Sequence, residues 1–248
     1  MKATLLFRGA VLSSAALLAA CAVTGGNENV DYRSFVASAD RSDADRQTDQ
    51  RRKPELLLAF AGVRPGMKVL DMGAGGGYST ELLARAVGPG GTVYAQDSAA
   101  LPDRVKERFD ERVRKPMMKN VVRILRGYDD PVPPGVRHLD MITFLFAYHD
   151  TAFMNVDRAK MNRAMFEALK PGGVLVIADH SAQAGAGVSV AKSLHRIEES
   201  VLRREIEAAG FRFVAEADFL RNPSDARDAV VFRPKAPVDE FVLKFIRP

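Results

Sequence analysis

Runs of apolar residues alternate with amphipathic stretches along most of this chain. Short, nearly uninterrupted apolar runs predict buried strands, which we place at residues 67–70, 92–96, 121–125, 139–146 and 174–178. The stretches between them end at glycine or proline and predict helices, at residues 54–61, 78–87, 102–113 and 157–169. Because alternating strands and helices build parallel βαβ units, this pattern predicts a doubly wound, Rossmann-like α/β sheet.

The C-terminal part of the chain adds one helix and two strands. Residues 198–209 predict a helix that ends at Gly210, and residues 211–216 and 240–245 predict two strands joined by a long connection. Such a connection makes a long-armed hairpin, in which the last strand is antiparallel to its neighbour. The sequence therefore predicts a seven-stranded sheet.

The first 21 residues differ in composition from the rest. Lys2 and Arg8 form a short basic region, residues 9–20 are small and apolar, and the run ends in Leu-Ala-Ala-Cys at Cys21. The apolar run is too short for a mature membrane span but suits a secretory signal. Its end resembles the lipobox of bacterial lipoproteins, in which the cysteine is lipidated, and Ala22 favours the outer membrane in that family. An ordinary signal peptide with a chance cysteine is the alternative.

We therefore divide the chain into a lipoprotein-type signal peptide at 1–21, a polar tether at 22–49 and a folded domain at 50–248. This organisation predicts a periplasm-facing lipoprotein of the cell envelope, in contact with a membrane through a lipid anchor at Cys21. The chain has one cysteine and hence no intramolecular disulfide. Its net charge is +5, but its basic residues are interleaved with acids and form no long basic block. This pattern argues against a nucleic-acid partner and favours a small-molecule partner.

A glycine-rich turn after the first strand is the main functional signal. Asp71 precedes a cluster that contains Gly73, Gly75 and Gly77, and a helix follows. A dinucleotide fingerprint requires a glycine where Tyr78 stands. A carboxylate beside the turn repels a pyrophosphate but suits an ammonium or sulfonium ligand. This argues against a nicotinamide-dependent oxidoreductase.

The segment Asp71-Met72-Gly73-Ala74-Gly75-Gly76-Gly77 resembles motif I of class I S-adenosylmethionine (SAM)-dependent methyltransferases. The resemblance implies that Gly73, Gly75 and Gly77 cradle the amino-acid end of SAM and that Asp71 acts near its ammonium group. By the same resemblance, Asp97 at the end of the second strand binds the ribose hydroxyls, and Asp129 after the third strand contacts the adenine amino group.

The resemblance extends to a subfamily of exported bacterial methyltransferases of the lipoprotein type. Its members carry the segments found here as Tyr148-His149-Asp150, His195-Arg196 and Arg221-Asn222-Pro223. It assigns no acceptor substrate.

Candidate catalytic residues follow the fourth and fifth strands, where acceptors bind in this fold. Tyr148, His149 and Asp150 end one strand, His180 ends the other beside Asp179, and His195 follows a glycine-rich loop. Histidine suits general-base work at neutral pH, although helix capping or anchoring explains these positions equally well. A His-His-Asp metal site is an alternative, but the spacing matches no recognised ligand motif, so we predict no metal.

These features predict a methyltransferase that acts on a small-molecule or envelope acceptor. The alternative is a non-catalytic envelope protein that uses the same fold to bind a nucleoside-like or amphipathic ligand. The predicted export of the protein conflicts with its predicted use of SAM, because SAM is made in the cytoplasm. The presence of Asp71, the glycines and Asp97 in one chain favours the enzyme.

Overall fold

A computed structural model describes Met1 and residues 30–232, 234 and 236–248 of the chain. The predicted signal segment, with Cys21, lies outside the described residues. The strands are β1 (Lys68–Met72), β2 (Thr92–Asp97), β3 (Val121–Leu125), β4 (Leu139–Leu145), β5 (Leu169–His180), β6 (Arg212–Ala217) and β7 (Glu240–Ile246). The α-helices are α1 (Tyr32–Val36), α2 (Asp43–Arg52), α3 (Pro54–Ala61), α4 (Tyr78–Val87), α5 (Asp103–Val113), α6 (Arg158–Ala168), α7 (Ala191–Leu194) and α8 (Glu199–Ala208). Two 3₁₀-helices lie at Pro116–Met118 and His149–Ala152.

The strands form one sheet in the order β3-β2-β1-β4-β5-β7-β6. β1 to β5 pair in parallel, while β7 pairs antiparallel with both β5 and β6. The predicted seven-stranded sheet with an antiparallel last strand is therefore confirmed. The strand order reverses between β1 and β4, and ligands of open α/β sheets bind outside the carboxyl ends of the strands at such a point.

The sheet is buried on both faces. α6 and α8 cover one face, where they pack on Leu70 of β1. α3 and α4 cover the other face, where they pack on Val69 of the same strand. A strand with apolar contacts on both sides reads as a continuous apolar run, which explains why the sequence pattern located these strands.

The N-terminal segment departs from the expected tether. Within residues 30–49 the chain forms most of α2 and the whole of α1, which packs against α3 and α4. α2 buries only Asp45, so ion pairs rather than apolar contacts hold it in place. The pairs Asp45–Arg112 and Asp40–Arg85, each at 2.7 Å, join this segment to α5 and α4. Residues 30–49 thus belong to the folded body.

β5 starts earlier than the sequence pattern predicts. Residues 171–173 were expected to separate a helix from a strand, but they continue β5 from Leu169 across an irregular register with β4. The backbone N–H of Gly172 donates to the carbonyl of Arg247, which keeps this turn on the sheet. Among the described residues, no helix is long and apolar enough to cross a bilayer.

Candidate active site

The turn between β1 and α4, residues 73–77, is here called the glycine loop. Gly73, Gly75 and Gly77 have φ values of +66°, +57° and +78°, in the left-handed region that favours glycine. A Cβ on Gly73 would lie 2.9 Å from Cβ of Ala147, so the loop runs directly against the end of β4. A Cβ on Gly75 would meet only the Gly73 carbonyl oxygen, at 3.9 Å, which leaves that backbone open to a ligand.

Asp97 lies at the carboxyl end of β2, beside the glycine loop. Its Oδ2 accepts a hydrogen bond from the Gly75 N–H at 2.5 Å, and its Oδ1 accepts one from the Ser98 N–H at 3.1 Å. Burial raises the pKa of Asp97, and these N–H donors offset part of that rise. Each carboxylate oxygen has two lone-pair positions, and the Tyr128 hydroxyl also donates to Oδ1 at 3.4 Å, so Asp97 retains one free position, on Oδ2, for a ribose hydroxyl.

Asp71 lies beneath the glycine loop and is fully buried. Its two carboxylate oxygens accept hydrogen bonds from Thr80 Oγ1 at 2.7 Å and Thr143 Oγ1 at 2.8 Å. Burial raises the pKa of Asp71 to about 6, against the lowering effect of the two threonine hydroxyls. Asp71 therefore ties β1 to α4 and β4 and places a titratable charge under the loop.

The structure does not bring Asp129 to the glycine loop. Its side chain is exposed, and its nearest cation is Lys160 Nζ at 3.9 Å. The neighbouring Tyr128 is buried instead, with its hydroxyl 3.4 Å from Asp97 Oδ1. Tyr128 has no role in the sequence prediction, although its position directly before Asp129 marks the same loop.

α2 lies over the glycine loop and forms one wall of an open cleft of about 640 Å³. The cleft is lined by the loop, α2 and α5. Arg52, at the end of α2, lies over two aromatic rings, with its guanidinium carbon 5.5 Å from the Tyr78 centroid and 4.3 Å from the Phe146 centroid. Burial lowers the pKa of Arg52 to about 10, so it is still charged at neutral pH. Arg52 lay just inside the predicted domain, but no sequence motif marked it.

Four side chains at the carboxyl ends of β4 and β5 form what we call the histidine cluster: His149, Asp150, Asp179 and His195. Asp179 Oδ1 lies 2.6 Å from His149 Nδ1, and Asp179 Oδ2 accepts the His149 backbone N–H at 2.8 Å. On the other side of the ring, His149 Nε2 lies 3.0 Å from Asp150 Oδ1 and 3.2 Å from His195 Nδ1. Asp150 Oδ1 and His195 Nδ1 are 3.1 Å apart.

Two carboxylates flank the His149 ring. Burial acts to lower the pKa of His149, but the charges and hydrogen bonds of Asp179 and Asp150 outweigh it and raise that pKa to about 10. His149 in turn lowers the pKa of Asp179 against the effect of burial. When nothing else binds in the cluster, the His149 ring is therefore protonated and positively charged at neutral pH, and it cannot act as a base.

The side chains of the other two predicted catalytic residues face acids outside the cluster. His180 Nδ1 is 2.9 Å from Glu240 Oε1, and its ring centroid is 5.6 Å from that of His149. Tyr148 is fully buried, with its hydroxyl donating to Glu205 Oε2 at 2.8 Å and accepting from Asn162 Nδ2 at 2.9 Å. Tyr148 thus packs into the core under α6 and α8, away from His149.

The glycine loop and the histidine cluster are neighbours. Ala147, which contacts Gly73, lies two residues before His149. Phe146, which contacts Arg52, has its ring centroid 5.4 Å from that of His180. The glycine loop and the histidine cluster therefore adjoin each other at the end of β4.

A profile of a family described as a methyltransferase domain matches residues 44–216. The chain belongs to this methyltransferase family. The matched region includes the glycine loop and the whole histidine cluster. The match confirms the expected class I methyltransferase family, the enzyme class and SAM as the cofactor.

Curated relatives include ubiquinone/menaquinone biosynthesis C-methyltransferases UbiE. The one from Shewanella sediminis is 32% identical over 126 residues, which make up 51% of this chain and 47% of that protein. The one from Cronobacter sakazakii is 29% identical over 168 residues, covering 65% of this chain and 63% of that protein. The chain thus spans about half the length of the Shewanella relative.

Solved structures share the fold at low sequence identity. A SAM-dependent methyltransferase from Aquifex aeolicus superposes with a TM-score of 0.60 at 22% identity, over 83% of this chain and 97% of that one. Aeropyrum pernix fibrillarin, solved with natively bound SAM, gives a TM-score of 0.51 at 18% identity, over 77% of this chain and 73% of that one.

Proposed function

We propose that this methyltransferase transfers a methyl group from SAM to a small-molecule acceptor that binds at the histidine cluster. The observation that carries the proposal is the contact between the two parts of the site, where Gly73 meets Ala147 two residues before His149. Methyl transfer requires donor and acceptor to be held in line and close together. In this proposal, donor and acceptor lie on either side of the end of β4.

On the donor side, the residues of the glycine loop fit SAM. SAM supplies an electrophilic methyl group on a sulfonium. The open backbone at Gly75 admits the ligand, and Asp97 Oδ2 offers a free lone pair to its ribose. Asp71, ionised above about pH 6, places a negative charge under a cationic ligand. Arg52 lines the same cleft.

On the acceptor side, the cluster offers hydrogen-bonding groups for a nucleophile. Asp179 fixes the orientation of the His149 ring. Because His149 holds its own proton, Asp150 and His195 are the groups that accept the proton of an incoming hydroxyl or amine. Both are partly exposed, with side chains 33% and 23% accessible, so an acceptor reaches them from solvent.

The rim of the cluster is apolar, which supports an acceptor with an aromatic or other apolar part. The His195 ring lies 5.6 Å from the Phe153 ring and 4.5 Å from the Phe232 ring, between centroids. Both phenylalanines are exposed, as are Met154 and Val230 nearby in sequence. Exposed apolar patches of this kind mark ligand or interaction sites. The UbiE relatives, named for ubiquinone and menaquinone biosynthesis, make quinol-like rings the first acceptors to assay.

We also propose that the protein is exported and anchored through Cys21 to the periplasmic side of a membrane of the cell envelope. The basic, apolar and Leu-Ala-Ala-Cys segments of residues 1–21 support this proposal. Full-length protein and a Cys21→Ser variant should partition differently between membrane and soluble fractions, with a lipid-dependent mass shift only in the former. Equal partitioning and equal mass would exclude lipidation.

Calorimetric titration of the purified protein with SAM tests the enzyme directly. We expect micromolar binding that Asp97→Asn weakens by about 10–100-fold, corresponding to roughly 1.5–3 kcal/mol for lost hydrogen bonds to a carboxylate. Asp103→Asn, which changes an exposed acid on α5, is the matched control and should bind normally. Absence of SAM binding by folded wild-type protein would favour the non-catalytic alternative.

Acceptor assays then use SAM with a labelled methyl group. With a working acceptor, His195→Ala should lower turnover by about 10²–10⁴-fold while SAM affinity is retained, as expected for a general base. His138→Ala removes an exposed histidine at the opposite end of β4 and should change neither quantity. Unchanged turnover in His195→Ala would remove the proposed acceptor role.

A further inference from the structure

Three potential metal ligands converge in the histidine cluster. His149 Nε2, His195 Nδ1 and Asp150 Oδ1 form a nearly equilateral triangle with sides of 3.0, 3.1 and 3.2 Å. Of the groups of histidine, cysteine and acidic side chains in the described residues, this is the one close enough to hold an ion. Its members come from two separate loops, after β4 and after α7, so the convergence is made by the fold.

The size of the triangle suits a first-row transition metal. Zn²⁺ binds histidine nitrogen and carboxylate oxygen at about 2.0–2.2 Å, which separates the ligands of a tetrahedral ion by roughly 3.3–3.5 Å. Ligand atoms already 3.0–3.2 Å apart need to move by only a few tenths of an ångström to reach that geometry. Two imidazoles and one carboxylate are also the donor types that such ions prefer.

The surroundings of His149 match those of a metal-binding histidine. Its Nδ1 faces the buried Asp179 carboxylate at 2.6 Å. A carboxylate in this position holds the proton on Nδ1, so that an ion binds at Nε2 and displaces the proton there. Asp179 also accepts the backbone N–H of His149 at 2.8 Å, which fixes the residue in place.

The backbone of His195 supports the same conclusion. Its φ of 55° and ψ of 48° put a non-glycine residue in the left-handed region. That conformation costs free energy and is retained where the surrounding structure requires it, often at functional sites. Here it ends α7 and turns the imidazole towards His149 and Asp150.

We propose that His149, His195 and Asp150 bind one divalent transition-metal ion, with Zn²⁺ as the representative case, and that Asp179 supports His149 from behind. The three side chains leave the ion one open position, because Asp150 and His195 are partly exposed. An oxygen donor of the acceptor suits that position, a part of the inference that rests on the proposed function. With the ion bound, Asp150 and His195 act as its ligands and not as proton acceptors.

The test is a titration with Zn²⁺ and with Co²⁺, whose visible absorption reports nitrogen and oxygen ligation. It uses the full chain with Cys21→Ser, so that the single cysteine takes no ion. We expect one ion per chain with micromolar or tighter affinity. Binding should weaken by at least 100-fold in His195→Asn and by about 10–100-fold in Asp179→Asn, the range seen for groups behind a metal ligand.

His138→Asn is the matched control. His138 also has a positive φ, 56°, and asparagine tolerates that conformation at both positions. Circular dichroism of each variant shows whether it is folded. Absence of binding by folded wild-type protein, or equal affinity in His195→Asn and His138→Asn, would overturn the metal site. SAM titrations of the same samples keep this result separate from the proposed function, since the glycine loop does not include these ligands.

Discussion

Asp179 accepts hydrogen bonds from both the ring and the backbone of His149, with distances of 2.6 Å to Nδ1 and 2.8 Å to the amide nitrogen. This double contact joins the carboxyl end of β5 to the 3₁₀-helix that follows β4. Both residues are buried, so the pair lies where water does not compensate for a lost partner. The orientation of the His149 ring within the histidine cluster therefore depends on Asp179.

Replacing Asp179 with alanine should destabilise the protein strongly. Removing one partner of a buried ion pair leaves the other uncompensated and costs about 3–5 kcal/mol. Urea denaturation at neutral pH measures this loss in the free energy of unfolding. Asp103→Ala breaks the exposed pair with Lys106 and should cost less than about 1 kcal/mol. Similar losses in the two variants would contradict a buried pair at Asp179.

The raised pKa of Asp71 predicts a pH dependence of stability. The folded-state pKa, about 6, lies above the ordinary aspartate value of 3.8, so the folded protein binds the proton more tightly than the unfolded chain does. The stabilising contribution of protonated Asp71 is therefore full below about pH 3.8 and is lost as pH rises through about 6. The total change is about 3 kcal/mol by linkage.

Asp71→Asn tests this prediction, because the amide cannot ionise and the hydroxyls of Thr80 and Thr143 can rotate to suit it. Unfolding free energies of wild type and variant should diverge between pH 4 and pH 7, with the wild type losing stability relative to Asp71→Asn. Over the same range SAM affinity of the wild type should rise, since the ionised carboxylate attracts a cation. Parallel stability curves would show that Asp71 has an ordinary pKa.

A comparison of Gly75→Ala with Gly172→Ala should separate the cost of backbone strain from the loss of ligand binding. Gly75 and Gly172 both have positive φ, +57° and +75°, and neither leaves a Cβ in close contact. Alanine at either site should therefore lower stability by about 1–2 kcal/mol. Only Gly75→Ala places a methyl group in the backbone cradle, so only this variant should lose SAM binding in calorimetry. Normal SAM affinity in Gly75→Ala would place the ligand elsewhere.

The sequence pattern located the sheet well because each parallel strand is buried on two faces. β3 and α4 have the bounds that the apolar pattern predicts, and Pro54 and Gly62 mark the ends of α3. α2 escaped prediction because it has no apolar face. A signal for it was present in Ser42, whose Oγ accepts the Asp45 N–H as a helix cap, but the ion pairs that hold α2 link distant parts of the chain.

The candidate site was predictable only in part, because some of its contacts also link distant parts of the chain. Asp71, Asp97 and the glycines belong to a local motif, and the structure places them together around one loop. His149 and His195 are 46 residues apart, and their contact depends on how the loop before α7 folds. Tyr148 adjoins His149 in sequence but points the other way, into the core. Sequence adjacency did not determine side-chain direction at the end of β4.

A buried ion pair between Arg41 and Asp49, here called the clamp, predicts how firmly α2 is held over the glycine loop. Arg41 contacts Asp49 through two hydrogen bonds, at 2.5 and 2.8 Å, and the Tyr78 hydroxyl donates to the same carboxylate at 2.6 Å. The Arg41 side chain is only 1% exposed. Asp49→Ala leaves this guanidinium buried without its partner, so we expect a loss of about 3–5 kcal/mol in the free energy of unfolding.

Tyr78→Phe is the matched control for this clamp, because it removes one hydrogen bond and leaves the Arg41–Asp49 pair intact. It should cost about 0.5–1.5 kcal/mol. If α2 is a cover held by the clamp, Asp49→Ala should also raise amide hydrogen exchange within α2 more than in the central strands, and should weaken SAM binding. Exchange that increases equally in α2 and β4 would mean instead that the N-terminal segment unfolds only together with the whole domain.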